Sequence, residues 1–254
     1  MRIVSYNILD GGQGRADPLA EILQAQRADV IALQEADQPQ VVEHIARRLK
    51  MDYVHAPGGH HAAALLSAWP LVESINHGHV RRRPRNSFLE AWVQTDTFGP
   101  LPIAVVHLHP HATEADEVAR EHELADVLAV LDRHRQAGRA HLLLGDFNAN
   151  SPLQHIDPLR CKPRTREHWQ ANGGRLPRRV IQQLLHAGYV DTFHAVCGAA
   201  AADTGTFSTQ FPGQRVDYIF SWSLQPSRLR SAWIERDRLA KYASDHYPIG
   251  LELA

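Results

Sequence analysis

The sequence of 254 residues lacks several features that would place it in a specialised class of protein. It has two cysteines, Cys161 and Cys197, and no CxxC motif, which is typical of a reducing compartment. No apolar run approaches the length of a membrane-spanning helix, and the apolar start of the chain is too short for a signal peptide. We therefore expect a cytoplasmic protein without a membrane span.

The chain also lacks an excess of charge of either sign. Its 27 lysines and arginines nearly balance its 28 aspartates and glutamates, so the formal net charge is −1. This balance argues against a protein that coats nucleic acid through a general basic field, but it is compatible with an enzyme that has a locally basic wall. The count of 17 histidines is high, and we expect most of those outside the motifs described below to be solvated.

Strand-like and helix-like segments alternate along the chain, and no repeat occurs at a fixed period. Apolar runs predict buried strands at 2–8, 29–34, 102–108 and 141–144. Helical spacing of apolar residues extends over 114–136, whereas the polar stretch 150–178 predicts an irregular surface segment. The alternation predicts an α/β protein in which two sheets pack together under helices.

Polar side chains repeatedly follow the ends of the predicted strands. The clusters are Tyr6-Asn7, Gln34-Glu35, His107-Leu108-His109, Gly145-Asp146-Phe147-Asn148, Arg215-Val216-Asp217-Tyr218 and Ser244-Asp245-His246. Taken alone, each residue is as readily explained as a turn former, a helix cap or a loop residue. Their joint occurrence at strand ends indicates one site built from several strands, and therefore a single catalytic domain over 1–254.

The residue types in these clusters favour phosphoryl chemistry with a hard metal ion. Asn7, Glu35 and Asp245 offer oxygen ligands, which select Mg²⁺ or Mn²⁺ rather than zinc. Asp146 and Asn148 stand two residues apart and would point the same way if the strand continued. An aspartate there can orient or deprotonate water, while a carboxamide can donate to a phosphate oxygen.

Two imidazoles complete the predicted site. His246 could polarise or protonate a reacting group, and Asp217 could hold its tautomer. His107 ends a strand and supplies a second imidazole donor. A metal, a water activator and several donors together suit the charge that develops during phosphoryl transfer.

Read in order, YNIL, LQEAD, HLH, GDFNAN, RVDYIF and SDHYPI resemble the motifs of the endonuclease/exonuclease/phosphatase superfamily. The resemblance covers nearly the whole chain, and GDFNA and SDH are its most specific parts. It implies a four-layer α/β/β/α sandwich of two mixed sheets flanked by helices. It also implies a hydrolase that cleaves phosphoester bonds with a divalent metal.

The resemblance assigns a role to each matching residue. It implies a metal site at Asn7, Glu35 and Asp245 and a phosphate contact or proton donor at His107. The catalytic roles that it implies are water activation by Asp146, phosphate contact by Asn148, and transition-state stabilisation by His246 held by Asp217. The chain departs from the family at Ala68, where many members carry a basic residue after a strand-end serine.

The motifs leave the substrate open. We expect a phosphoester, with a DNA or RNA phosphodiester favoured over a phosphomonoester or a lipid or inositol head group, and a monomeric enzyme. Two basic stretches are either substrate walls or solvated surface: Arg81-Arg82-Arg83-Pro84-Arg85, and Arg160, Lys162, Arg164 and Arg166 with Trp169 nearby.

Two other interpretations compete with this one. A zinc hydrolase could be built on His107, His109 and His111, because an HxH pattern at a strand end is found in zinc enzymes. That interpretation leaves the carboxylate clusters unexplained, and His109 and His111 are otherwise either lining the substrate path or solvated. A noncatalytic binding module would have no physical reason to keep unpaired carboxylates together.

Overall fold

A computed structural model describes residues 1–80 and 87–254 of the chain. The basic segment Arg81-Arg82-Arg83-Pro84-Arg85 lies outside the described residues. The strands are β1 (Arg2–Asn7), β2 (Val30–Gln34), β3 (Asp52–Ala56), β4 (Ala63–Ser67), β5 (Leu71–Asn76), β6 (Phe88–Thr95), β7 (Gly99–His107), β8 (His141–Asp146), β9 (Val190–Asp191), β10 (Asp217–Trp222), β11 (Leu229–Ile234) and β12 (Ile249–Leu253). The α-helices are α1 (Ala16–Gln26), α2 (Pro39–Leu49), α3 (His77–Val80), α4 (Glu114–Gln136), α5 (Pro163–Ala171), α6 (Arg179–His186), α7 (Thr192–Cys197) and α8 (Arg238–Ala243).

These strands form two mixed sheets of six strands each. The order is β11-β12-β1-β2-β4-β3 in the first sheet and β5-β6-β7-β8-β10-β9 in the second. Within them, β1 pairs with β2 and β7 with β8 in parallel, and the other neighbours are antiparallel. The prediction of two mixed sheets flanked by helices is therefore confirmed.

Period-two alternation along the central strands produces the layers. Ile3 and Val30 face inward and meet Val105 and Leu144 of the second sheet in a core between the sheets. The next residues along the first sheet, Val4 and Ile31 among them, face outward instead and pack under α1, α2 and α8. The outer face of the second sheet packs in the same way under α4 and α6. Both faces of each sheet are thus covered, which explains why the central strands read as continuous apolar runs.

Register brings the ends of the central strands together. Asn7 at the end of β1 is aligned with Gln34 at the end of β2, and His107 of β7 with Asp146 of β8. Asp217, at the start of antiparallel β10, stands directly opposite Asp146. Because parallel strands end at the same edge, both pairs of polar strand ends face the same rim of the sandwich.

The described residues differ from the sequence-based expectations in two respects. Residues 150–178 contain the helix α5, and α7, α8 and β11 are further elements that the pattern did not predict. The expectation that histidines outside the motifs are solvated is wrong for His77, His134 and His141, which are buried. Over the described part of the chain, no helix is both long enough and apolar enough to cross a membrane.

Candidate active site

The first part of the site joins the ends of β1 and β2. Asn7 Nδ2 donates to Glu35 Oε1 at 2.9 Å and to Asp146 Oδ2 at 3.1 Å. Glu35 Oε2 accepts the backbone N–H of Asp10 at 2.8 Å. Glu35 itself has φ of 54°, a left-handed conformation that is uncommon for a residue with a side chain and is concentrated at functional sites. Asn7 thus links a strained glutamate to the aspartate of the second sheet.

Asp146 ends β8 and is almost completely buried. Its Oδ1 accepts the backbone N–H of Asn148 at 2.8 Å, which closes a tight turn directly after the strand. Asn148 has φ of 49°, so the strand does not continue, and the expected strand-like alignment of the two side chains is wrong. Asn148 Nδ2 instead donates to the carbonyl of Leu108 at 3.0 Å, which fixes the carboxamide beside Asp146.

Asp217 and His246 form a buried pair. His246 Nδ1 lies 2.9 Å from Asp217 Oδ2, and its Nε2 lies 3.7 Å from Asp146 Oδ2. Burial disfavours a charged imidazole, but the carboxylates of Asp217 and Asp146 outweigh this effect and raise the pKa of His246 to about 10. Burial and the nearby charge of Asp217 raise the pKa of Asp146 to about 7, against the opposing effect of His246.

Asp245 is held by a lysine from the polar stretch 150–178. Lys162 Nζ donates to Asp245 Oδ2 at 2.9 Å and lies 4.1 Å from the ring centroid of Phe207. Phe207 in turn packs on His246, with ring centroids 4.7 Å apart. The loop before β12 is anchored by Ser244 Oγ, which donates to the carbonyl of Asn7 at 2.7 Å.

His107 is the last residue of β7 and faces Asp146. Its Nε2 lies 3.6 Å from Asp146 Oδ2, and its Nδ1 has no hydrogen-bond partner among the described residues. Burial, reinforced by the charges of His61 and His246, lowers the pKa of His107 to about 4, so its ring is neutral at physiological pH. The ring of His61 lies 5.2 Å from that of His107 and is oriented by a 2.8 Å contact between its Nδ1 and Asp37 Oδ2.

The predicted site residues therefore come together around one cavity of about 500 Å³. Glu35, Asp146 and Asp245 place carboxylates along its floor, and buried Asp217 supports the floor through His246. Three carboxylates in one cavity repel each other, and a divalent cation would relieve that repulsion. The oxygen atoms of Glu35 and Asp245 are donors that suit a hard cation. The carboxamide oxygen of Asn7 is a third oxygen of the same kind and accepts the backbone N–H of Leu9 at 3.0 Å.

One candidate ligand cluster needs separate interpretation. Ligand atoms of Asp146, Asp217 and His246 lie within 4.8 Å of one another. Asp217, however, is already engaged with His246 Nδ1, an arrangement that orients an imidazole rather than binding an ion. A buried cluster of acidic residues and histidine is thus present, and Asp146 is its member that also lines the cavity next to Glu35.

The structure does not favour the zinc interpretation of the HLHPH segment. His109 Nε2 is bonded to Asp116 Oδ1 at 2.9 Å, and His111 lies against His168 with ring centroids 6.4 Å apart. In the described part of the chain, neither histidine belongs to a group of three ligands close enough to share an ion. The backbone leaves the extended conformation at His111, where φ is 73°. Both histidines do line the cavity.

Comparison with known proteins places the chain in a family. A model of the Endonuclease/Exonuclease/phosphatase family matches residues 4–246. The chain belongs to this family. Members of the endonuclease/exonuclease/phosphatase family are hydrolases, either nucleases or phosphatases. No curated protein sequence gives a significant match.

Solved structures support the same fold over the whole chain. A 3′ phosphatase from Neisseria, bound to a product DNA hairpin, has a TM-score of 0.76 at 19% identity, with 100% of this chain and 99% of that chain covered. An AP endonuclease from Archaeoglobus fulgidus has a TM-score of 0.74 at 16% identity with coverage of 100% and 99%. A mannosyl-6-phosphatase from Bacteroides thetaiotaomicron has a TM-score of 0.68 at 18% identity, again covering 100% and 99%.

Several residues of the cavity were not singled out by the motifs. His61 with Asp37 and Phe207 with Lys162 stand beside the cluster of Asp146, Asp217 and His246. Lys162 belongs to one of the two basic stretches, and Pro163 after it is a helix-start signal that the polarity of the stretch obscured. Asp37 ends the LQEAD motif, but the motif assigned it no role. Nothing in the local sequence distinguishes His61 and Phe207 from ordinary loop residues.

Proposed function

We propose that this family member is a Mg²⁺- or Mn²⁺-dependent phosphoester hydrolase in which water attacks phosphorus, with a nucleic-acid phosphodiester as its substrate. The observation that carries the proposal is the environment of Asp146. One carboxylate oxygen, Oδ2, faces Asn7 Nδ2 at 3.1 Å, His107 Nε2 at 3.6 Å and His246 Nε2 at 3.7 Å. The two imidazole distances are too long for direct hydrogen bonds, so neither Nε2 atom is committed to Asp146 and each can donate to a water or a phosphate oxygen in the cavity.

Asp146 is the group best placed to orient the attacking water. Asn148 and Asn7 hold its carboxylate in one rotamer, because each donates a hydrogen bond to a different oxygen. Fixing the carboxylate in this way lowers the entropic cost of aligning water with phosphorus. Asp146 can then accept a proton from the attacking water as the new bond to phosphorus forms.

His246 is proposed to donate to a phosphate oxygen that gains negative charge. Asp217 engages its Nδ1 and therefore directs Nε2 toward the floor of the cavity. Stabilisation of developing charge by an oriented donor is the largest single contribution in many enzymes. Asn148 and His107, at the same end of the second sheet, add neutral donors that contact phosphate without increasing the negative charge of the floor.

Glu35, Asp245 and Asn7 are proposed to hold the divalent ion. When bound, the ion would act as a Lewis acid that neutralises phosphate charge. Glu35 is prearranged for this task by the hydrogen bonds from Asn7 and Asp10, and Asp245 by that from Lys162. These contacts fix the carboxylates from outside, as the supporting residues of metal sites do.

Two features support a nucleic-acid substrate. The first is that two cationic side chains line the cavity: Lys162, which is paired with Asp245, and the exposed Arg164. The second is that the solved structures similar to this chain include a 3′ phosphatase bound to a DNA hairpin and an AP endonuclease.

A substrate panel with metal-stripped protein tests the proposal. The panel contains single- and double-stranded DNA, RNA, a bis-aryl phosphodiester, a sugar monophosphate and an inositol polyphosphate. Each substrate is incubated with Mg²⁺, Mn²⁺, Zn²⁺ or no metal, beside Asp146→Asn as a blank. Hydrolysis of nucleic acid that needs Mg²⁺ or Mn²⁺ and is absent from the blank supports the proposal. Hydrolysis without added metal, or no hydrolysis of any phosphoester, contradicts it.

A further inference from the structure

The cavity extends beyond the catalytic floor along a wall formed by α5. Lys162, just before the helix, contacts Asp245 at the floor, and Asn172 Nδ2, just after it, donates to the carbonyl of Ala112 at 2.9 Å. In the middle, Thr165 Oγ1 donates to Gln214 Oε1 at 3.0 Å. The helix is therefore attached at three points between the catalytic loops and the segment that follows β7.

The segment from His109 to His111 forms the wall of the cavity that faces α5. Arg120 is fully buried in α4, where it forms an ion pair with Glu117 at 2.9 Å. From there its guanidinium donates to the carbonyls of His109 and His111. This buried clamp holds His111 at φ of 73°, a strained conformation for a residue with a side chain. The exposed imidazole of His111 is thereby directed to the cavity against the cost of backbone strain.

Three side chains meet where the two walls face each other. His111 and His168 lie edge to face with ring centroids 6.4 Å apart, and Arg164 lines the cavity on the same helix as His168. Burial lowers the pKa of His111, and the positive charge of Arg164 adds to this effect. Of the described residues that line this cavity, the carboxylates Glu35, Asp146 and Asp245 all lie at the floor.

We infer that Arg164, His111 and His168 form a second anion subsite, which binds a phosphate group of the substrate other than the one that is cleaved. This inference rests on the proposed function, because it assigns the cleaved phosphate to the catalytic floor. An arginine suits this task because its planar guanidinium donates two hydrogen bonds to one phosphate. The two imidazoles add further hydrogen-bond donors. The substrate class is thus a phosphoester that carries at least one further phosphate, such as a nucleic-acid strand.

Matched dinucleotides test the subsite. The first compound has one internal phosphodiester and no terminal phosphate; the others carry an added 5′- or 3′-terminal phosphate. For wild type, we expect a KM about ten-fold lower for one of the phosphorylated compounds. Arg164→Glu should remove that difference, so that the KM values of the phosphorylated and unphosphorylated compounds become equal. An equal loss on all compounds, or no loss on any, would overturn the inference.

Two further variants separate the subsite from general effects of charge or folding. Arg175→Glu reverses an exposed arginine that follows α5 outside the cavity, and it should leave the preference for the terminal phosphate intact. His168→Ala removes a subsite donor without adding charge and should reduce the preference several-fold. Thermal midpoints show whether each variant is folded. If Arg175→Glu had the same effect as Arg164→Glu, a diffuse field rather than a subsite would explain the preference.

A binding measurement makes the inference independent of turnover. Dinucleotides with an uncharged, uncleavable methylphosphonate linkage, with and without the terminal phosphate, are titrated into wild type and Arg164→Glu by calorimetry. Tighter binding of the phosphorylated form to wild type alone supports the subsite even if no substrate is hydrolysed, in which case the proposed function fails by itself. Hydrolysis without such a difference leaves the proposed function intact and rejects a subsite for a second nucleic-acid phosphate.

The second phosphate could also come from a small bisphosphate. Glucose 1,6-bisphosphate is therefore compared with glucose 6-phosphate in the same binding assay. An Arg164-dependent preference for the bisphosphate, without one among the dinucleotides, supports the subsite and assigns the substrate to small phosphoesters. The reverse pattern supports the subsite and assigns the substrate to nucleic acid.

Discussion

Two buried clusters in the second sheet use the same residue types and arrange them differently. In one, Glu90 of β6 is surrounded by His77, His134 and Arg133, each bonded to its carboxylate. In the other, at the end of β8, Asp146 stands beside a second carboxylate, Asp217, and its imidazole neighbours are too distant for hydrogen bonds. The first cluster is fully paired, whereas the second is incompletely paired.

The pKa of each carboxylate reports this difference. Burial alone would raise the pKa of Glu90, but hydrogen bonds from His134, His77 and Arg133 hold it far below its ordinary value of 4.5. Burial and Asp217 instead raise the pKa of Asp146 to about 7. Asp217 Oδ1 and His107 Nδ1 also lack partners among the described residues. Complete pairing stabilises a fold, and incomplete pairing leaves donors and acceptors for a substrate and an ion.

The largest expected effect is that of Asp146→Asn. We expect kcat to fall by about 10³-fold or more, because the substitution removes the group that orients and deprotonates water while keeping its shape. The thermal midpoint should stay close to that of wild type. Asp96→Asn, in an exposed turn of the same sheet, is the matched control and should have no effect. Full activity of Asp146→Asn would refute the assignment of Asp146.

The next effect concerns the Asp217–His246 pair. Either His246→Ala or Asp217→Ala should reduce kcat by about 10²-fold or more, and the double variant should lose little beyond the worse single one. The reason is that each substitution disables the same oriented imidazole. A double-mutant cycle in kcat measures the coupling, and the exposed Asp17–His44 pair serves as a control. Additive losses would mean that Asp217 and His246 act separately.

Glu90→Gln should reduce stability and leave activity nearly unchanged, the reverse of what we expect for Asp146→Asn. We expect a loss of about 3 kcal/mol in the free energy of unfolding, because the substitution removes a buried charged acceptor of three hydrogen bonds, with little change in kcat at temperatures where the variant is folded. Glu73→Gln, exposed on the neighbouring β5, is the control. A large loss of activity without a loss of stability would place Glu90 in the catalytic machinery instead.

The stabilisation by Glu90 should also depend on pH. Since folding lowers its pKa below 4.5, its contribution is fully present above that pH and is lost as pH falls toward the folded-state value. Urea unfolding of wild type and Glu90→Gln, repeated at several pH values, measures the difference. The difference in free energy of unfolding between the two proteins should be constant near neutrality and should decrease below about pH 4.5. A difference in free energy of unfolding that increases in acid would contradict a lowered pKa of Glu90.

The smallest effect sharpens the metal assignment. Glu35→Gln should raise the Mg²⁺ or Mn²⁺ concentration required for half-maximal activity by about ten-fold or more, because it removes a charged oxygen ligand. The same ions should raise the thermal midpoint of wild type more than that of the variant. Glu43→Gln, on α2, is a control outside the cavity. An unchanged metal requirement would move the ion away from Glu35.

The local sequence pattern was sufficient to predict the elements that are stabilised by their own caps or have apolar faces. The predicted helix 114–136 has the bounds of α4, where Thr113 and Asp116 form a capping box. The central strands were recognisable because both faces of each sheet are covered. By contrast, α5 has a single buried residue, Thr165, and is attached through bonds to other segments. No periodicity in its own sequence could reveal those bonds.

The sequence by itself determined the central strands, their polar ends and, through its motifs, the family. The order of side chains along a strand is local information, and it places the polar residues at the strand ends. Parallel pairing then brings those ends to one rim of the sandwich. Only the tertiary structure decided which polar groups are paired and which are free, as in Glu90 and Asp146. It also placed Arg164 and His168 against His111, because contacts between segments far apart in the chain depend on register and packing rather than on local spacing.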